Sequence, residues 1–143
     1  ALMKLDPARM VDKCGYINQQ VAELRELVSG ADGDSVLDDP WMLKGVKYSL
    51  QTAIEACIDL AYHVCARHFG YAPRDARDAM IRLAEARLIS NGDLRKYSAM
   101  IGFRNRVVRG YQEVNTEQIR RIIAEDLDDV QEFTNIMLSL AGQ

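Results

Sequence analysis

The sequence is poor in residues that interrupt a helix, with three prolines and nine glycines in 143 residues. Two of the prolines, Pro7 and Pro40, directly follow an aspartate, the pairing that starts helices rather than breaks them. No run alternates apolar and polar residues for long enough to make a strand, which argues against a sheet. Long apolar runs are missing as well. The most apolar stretch, Ala53 to Ala66, is broken by Glu55, Asp59 and His63, so nothing approaches the roughly 18 consecutive apolar residues of a membrane span. The N-terminal residues lack the apolar segment of a secretory signal. Cysteine is scarce and odd in number. Cys14, Cys57 and Cys65 stand at no metal-ligand spacing and among apolar neighbours, which predicts free buried thiols in a reducing cytosol. Excess positive charge is absent too: 18 Lys and Arg against 21 Asp and Glu leave a net charge of -3. Binding to nucleic acid would therefore depend on a local basic patch. There is no phosphate-cradling glycine loop, no HExxH, no CxxC and no Glu-x-x-His pair.

Apolar residues make up 48% of the chain and charged residues 27%, the balance of a single globular domain over residues 1–143 that needs no metal or disulfide staple. After Asp6-Pro7, residues Met10, Cys14, Ile17, Val21, Leu24 and Val28 recur at spacings of four and three and predict a first helix. Residues 29–39, rich in Gly, Asp and Ser, read as a loop. Asp39-Pro40 opens a long second helix with Val46, Leu50, Ile54, Cys57, Ala61 and Val64 on its buried face, stopped by Gly70. Pro73 starts a short third helix carrying Met80, Ile81, Leu83 and Ala84. A turn at Ser90-Asn91-Gly92 leads to a fourth, with Leu94, Tyr97, Met100, Ile101, Val107 and Val108 apolar, running into Gly110. Asn115 and Gln118 form a capping box for a fifth helix, lined by Ile119, Ile122, Ile123, Leu127, Val130, Phe133, Ile136, Met137 and Leu140. The expected fold is all-α: an up-and-down bundle of about four long helices and one short one.

Two constellations carry chemistry. Asp59 and His63 are four apart on the second helix, with Glu55 a turn earlier, so the three share a face that could hold a metal or form a polar edge. His68, near the end of that helix, suits the negative pole of the helix dipole as a cap. More informative is Ile101-Gly-Phe-Arg-Asn-Arg-Val-Val-Arg-Gly-Tyr111, with three arginines inside six positions of an acidic chain. Arg104 and Tyr111 are seven residues apart, about two turns, and project from nearly one side of a continuous helix. Val107 and Val108 between them belong to the packed stripe. A guanidinium beside a phenol at such a seam can hold phosphate through planar, bidentate donors. The plainer alternative is a helix end decorated with arginines.

The segment IGFRNRVVRGYQEV, after a second helix reading YSLQTAIEACIDLAYHV and the YAPRD start of the third, resembles the HepT group of the HEPN superfamily. These are toxins of toxin–antitoxin pairs, with a motif of Arg-Asn, three variable residues, His, one residue and Tyr, followed by a long helix. The resemblance covers nearly the whole chain. It implies a HEPN-like homodimer in which two motifs face each other and form a metal-independent ribonuclease site with no cofactor. It also implies a cytoplasmic protein whose partner is an MntA-like nucleotidyltransferase antitoxin that attaches AMP to the motif tyrosine. Carried over, Arg104 binds phosphate, Asn105 is its polar neighbour and Tyr111 is the modification target. The RNA is tRNA or mRNA.

This chain departs from the pattern at one place, where Arg109 stands for the histidine. Metal-free RNA cleavage needs one group to take the 2′-hydroxyl proton and another to protonate the leaving 5′ oxygen. Histidine exchanges protons near neutral pH; arginine keeps its proton and supplies only positive charge. The expectation is a chain that binds RNA and partner but cleaves poorly or not at all. His-to-Arg is a single base change and the other motif positions fit, so the change reads as recent, whether engineered, selected against a lethal activity or natural. The rival reading is a non-catalytic helical interaction module that binds antitoxin or RNA without turnover.

Overall fold

The structure, a computed structural model, describes residues 4–30, 33, 35–110 and 114–142. Helix α1 spans Pro7–Ser29, α2 Pro40–Phe69, α3 Ala76–Glu85, α4 Asn91–Val108, α5 Thr116–Arg121 and α6 Leu127–Ala141. A 3-10 turn at Val36–Asp38 precedes α2, and a π-helical stretch at Ile122–Asp126 joins α5 to α6. No strand occurs among the described residues.

The capping chemistry expected from the sequence is present. Asp6 accepts the Arg9 N–H and Asp39 the Trp41 N–H, each with proline at the start of its helix. Helix α2 ends where Gly70 takes a left-handed φ of 63°, a conformation that costs glycine little. The third helix begins at Ala76, not at Pro73, because Asp75 is the cap and accepts the Asp78 N–H at 2.8 Å. Asp78 in turn accepts the Tyr71 hydroxyl at 2.7 Å and the Arg74 N–H at 2.9 Å, which orders the YAPRD segment as a loop. Those two hydrogen bonds, the backbone one first, hold its carboxyl below the usual carboxylate range. Likewise Asn91 and Gly92 belong to the first turn of α4: Ser90 and Asp93 form a reciprocal capping box that starts the helix within the segment expected as a turn. The loop before α2 contains the 3-10 turn, whose Leu37 is fully buried.

Helix α2, 30 residues long and so about 45 Å, is the central element and packs against α1, α3, α4 and α6. The buried positions of all the helices merge into one apolar core. At its centre Tyr97 and Phe133, neither exposed to solvent, meet edge to face with ring centroids 5.0 Å apart. Ile81 and Val108 depart from expectation, being 42% and 54% exposed. Ile81 adjoins core residues Met80 and Leu83, and Val108 is the last residue of its helix. The three cysteines are free and buried, and burial raises the Cys14 and Cys65 thiols to about 11 and Cys57 further. None is a thiolate at neutral pH, so all three are packing residues.

His63 ties the start of α1 to α2. It is buried, and its Nε2 accepts the Asp6 N–H at 3.0 Å, which requires that nitrogen to be unprotonated. Burial first, then the charges of Arg9 and Arg67, hold its pKa below the ordinary value, against the opposing charge of Asp6. The unfolded chain therefore takes up this proton at higher pH than the native one. The contribution of His63 is fully present above about pH 6.5 and is lost as pH falls through the lower native value. We expect the urea midpoint to fall between about pH 7 and pH 5 by more in the wild type than in His63→Gln, whose amide oxygen still accepts from Asp6. Equal slopes in the two proteins would remove this role from His63.

Candidate functional site

Arg104 lies on the face of α4 that turns toward α2, in line with the buried Tyr97 and Met100. Its Nη1 is 3.9 Å from Oε2 of Glu55, too far for a hydrogen bond, and the two side chains are 23% and 40% exposed. Its Nε is buried and has no hydrogen-bond partner among the described residues. An arginine so placed has been taken largely out of water with no compensating hydrogen bond from the described residues. Tyr62, seven residues after Glu55 on α2, stands on the same helix face. Burial raises its phenol pKa, Asp75 adds to the rise and the charge of Arg104 opposes it. Arg104 thus acts electrostatically on an acid and a phenol of α2. Neither is apparent from the motif, although the spacing of seven between them is a legible signal.

Asn105 follows on the half-buried flank of α4, and Arg109 is the exposed C-cap, its N–H bonded to the Asn105 carbonyl at 3.2 Å. Five helical residues turn through about 140° beyond a full revolution, so Arg104 and Arg109 leave α4 in different directions. The helix stops at Val108, and Gly110 takes φ +70° with its N–H on the Val107 carbonyl. Thus α4 does not run on as helix past Gly110. The expected projection of Arg104 and Tyr111 from one side falls on Tyr111, which lies outside the described residues.

The α2 trio separates into three engagements. Glu55 faces Arg104, Asp59 pairs with Lys13 at 2.9 Å, and His63 accepts from Asp6. This is the polar edge, not a converging ligand set. Among the described residues no group of three or more His, Cys, Asp and Glu side chains is placed to hold a metal ion. His68 lies in the last turn of α2, at the negative pole of the dipole as expected, with its ring edge-on to Phe69 at 4.8 Å, while Gly70 is the C-cap. No helix among the described residues is long and apolar enough to cross a membrane.

A family model described as Ribonuclease HepT-like matches residues 17–137. The chain is 27% identical over 128 residues to the mRNA nuclease HepT of Shewanella oneidensis, covering 90% of this chain and 95% of that protein. Among solved structures it is similar to the tri-AMPylated HEPN toxin of Shewanella oneidensis in complex with MNT antitoxin. There the identity is 26%, the coverage 92% of this chain and 97% of the other, and the TM-score 0.83. A toxin–antitoxin crystal structure with AMP-PNP matches with 26% identity, 90% and 97% coverage and a TM-score of 0.82. The resemblance read from the motif is borne out across most of the chain, and the all-helical fold with it: this protein belongs to the ribonuclease HepT-like family.

Proposed function

We propose that the chain is the toxin half of a toxin–antitoxin pair, with an RNA site assembled around Arg104 and Asn105 and weakened by Arg109. The observation that carries this reading is the state of Arg104. It is largely desolvated, with an Nε that has no partner among the described residues and one long-range carboxylate, on the residue that the family motif assigns to phosphate. A scissile phosphate would supply the acceptors it lacks, in the bidentate geometry that suits guanidinium. Asn105 adds a polar donor beside it. The site works without a metal ion in this reading, and its substrate is tRNA or mRNA. Two copies bring their motifs together, supported by Val108, an exposed apolar residue inside the motif.

In the same reading a nucleotidyltransferase antitoxin resembling MntA silences the toxin at Tyr111. The phenol oxygen attacks the α-phosphorus of ATP, the bond to pyrophosphate breaks and the phenol proton passes to a base. AMP on that side chain adds a negative phosphodiester and bulk two residues from Arg109, where it opposes an RNA phosphate. Incubation with the antitoxin and ATP is expected to add AMP to the intact mass of the wild type and none at this position in Tyr111→Phe. An unmodified wild type, under conditions in which the antitoxin modifies a known HepT, would remove Tyr111 from the proposal.

A further inference from the structure

Outside the motif's matched positions, two guanidiniums converge on one point of α4. A Cβ placed on Gly102 would lie 3.4 Å from Nη2 of Arg77, on α3, and 3.7 Å from Nη1 of Arg106, one turn further along α4. Several other arginines find carboxylates: Arg25 pairs with Asp128, Arg74 with Asp78, Arg82 with Glu85, Arg104 with Glu55 and Arg120 with Asp38. Arg77 and Arg106 make no such pair among the described residues, although the chain carries more acids than bases. Two like charges gathered over an α4 position without a side chain repel each other unless an anion lies between them. A tetrahedral oxyanion lying further out, between the two side chains, would meet a donor from each guanidinium.

We infer that Arg77 and Arg106 clamp a backbone phosphate of the bound RNA strand, outside the position where cleavage occurs. The inference rests on the reading of the motif as an RNA site. Arg109 stands seven residues beyond Gly102, two turns along nearly the same side of α4, about 10 Å away. A strand held at the clamp therefore runs along the outer face of α4 toward the motif's altered position. The acidic chain needs such a local device, since its overall charge repels nucleic acid.

The test is fluorescence anisotropy of a short labelled single-stranded RNA with the full-length chain in EDTA, across a range of salt. The double variant Arg77→Gln/Arg106→Gln is expected to lose roughly tenfold or more in affinity. Its slope of log affinity against log salt becomes shallower by about 0.7 for each phosphate that the protein no longer neutralises. Gly102→Ala puts a methyl into the clamp and is expected to weaken RNA binding while leaving the melting temperature unchanged or higher, as alanine does in a helix. Arg87→Gln, at an exposed arginine away from the clamp, should change little. A double variant that binds like the wild type, or an equal loss in Arg87→Gln, overturns the clamp and leaves the motif reading standing. A wild type without RNA affinity even at low salt overturns both.

Discussion

Arg109→His is expected to turn a nearly silent protein into a ribonuclease, raising the rate of RNA cleavage in EDTA by about a hundred- to ten-thousand-fold. Cleavage without metal begins when the 2′ oxygen attacks the neighbouring phosphorus and ends when the 5′ oxygen leaves with a proton. An arginine at the motif's histidine position can stabilise the charge on phosphorus but neither accepts the first proton nor donates the second at neutral pH. Imidazole, titrating at about 6.5, can do both. The exchange should not disturb the fold, because Arg109 is an exposed helix cap whose structural bond is made by its backbone N–H. Total cellular RNA incubated with each protein and resolved on a gel reads the result, with circular dichroism to verify folding. Cleavage by the variant alone establishes an enzyme with one missing part. Silence from a folded variant favours the interaction module, in which Arg109 belongs to the protein's working form.

The largest effect on stability is expected from Phe133→Ala. Phe133 is fully buried on α6 and meets the fully buried Tyr97 of α4 edge-on. Truncation removes the transfer energy of the ring and leaves a cavity among helices that cannot all relax, at a cost of about 3–5 kcal/mol. It also strips the aromatic partner from Tyr97, whose hydroxyl is buried without a hydrogen bond to any described residue and so already costs the fold something. A melting temperature lower by on the order of 10 °C is expected, read by thermal denaturation. A shift of less than a few degrees would mean that α4 and α6 close over the gap, and that this ring pair is not the centre of the core.

Most of the architecture could be read in the sequence because helices announce themselves locally. The stripe Met10, Cys14, Ile17, Val21 and Leu24 is buried as its spacing predicts, and the box of Asn115 and Gln118 closes as its residue types predict. Departures arise where the deciding interaction is not periodic. Pro73 looks like a start until Asp78 is seen to gather Tyr71 and Arg74 into a loop. The π-helical stretch at Ile122–Asp126 contains neither glycine nor proline, so nothing in its composition distinguishes it from ordinary helix. The site is legible in the same uneven way. Arg104 and Asn105 stand out through the family motif, whereas Glu55 and Arg77 reach α4 from α2 and α3, and spacing along one helix carries no information about which helix lies beside it.

Gly110 gives the motif a joint. Arg104 and Asn105 ride on α4, held in place by core packing, and Gly110, with its φ of +70°, ends the described part of the motif in a turn. In the proposed reading the phosphate-binding residues therefore sit on the rigid helix, and the modification target comes after the helix end in the sequence. On that reading, silencing the site does not require the bundle to come apart. The glycine has no chemistry of its own, yet its left-handed φ is what keeps the motif from being one continuous helix. A side chain at that position would strain this turn while leaving every reactive group in the sequence intact.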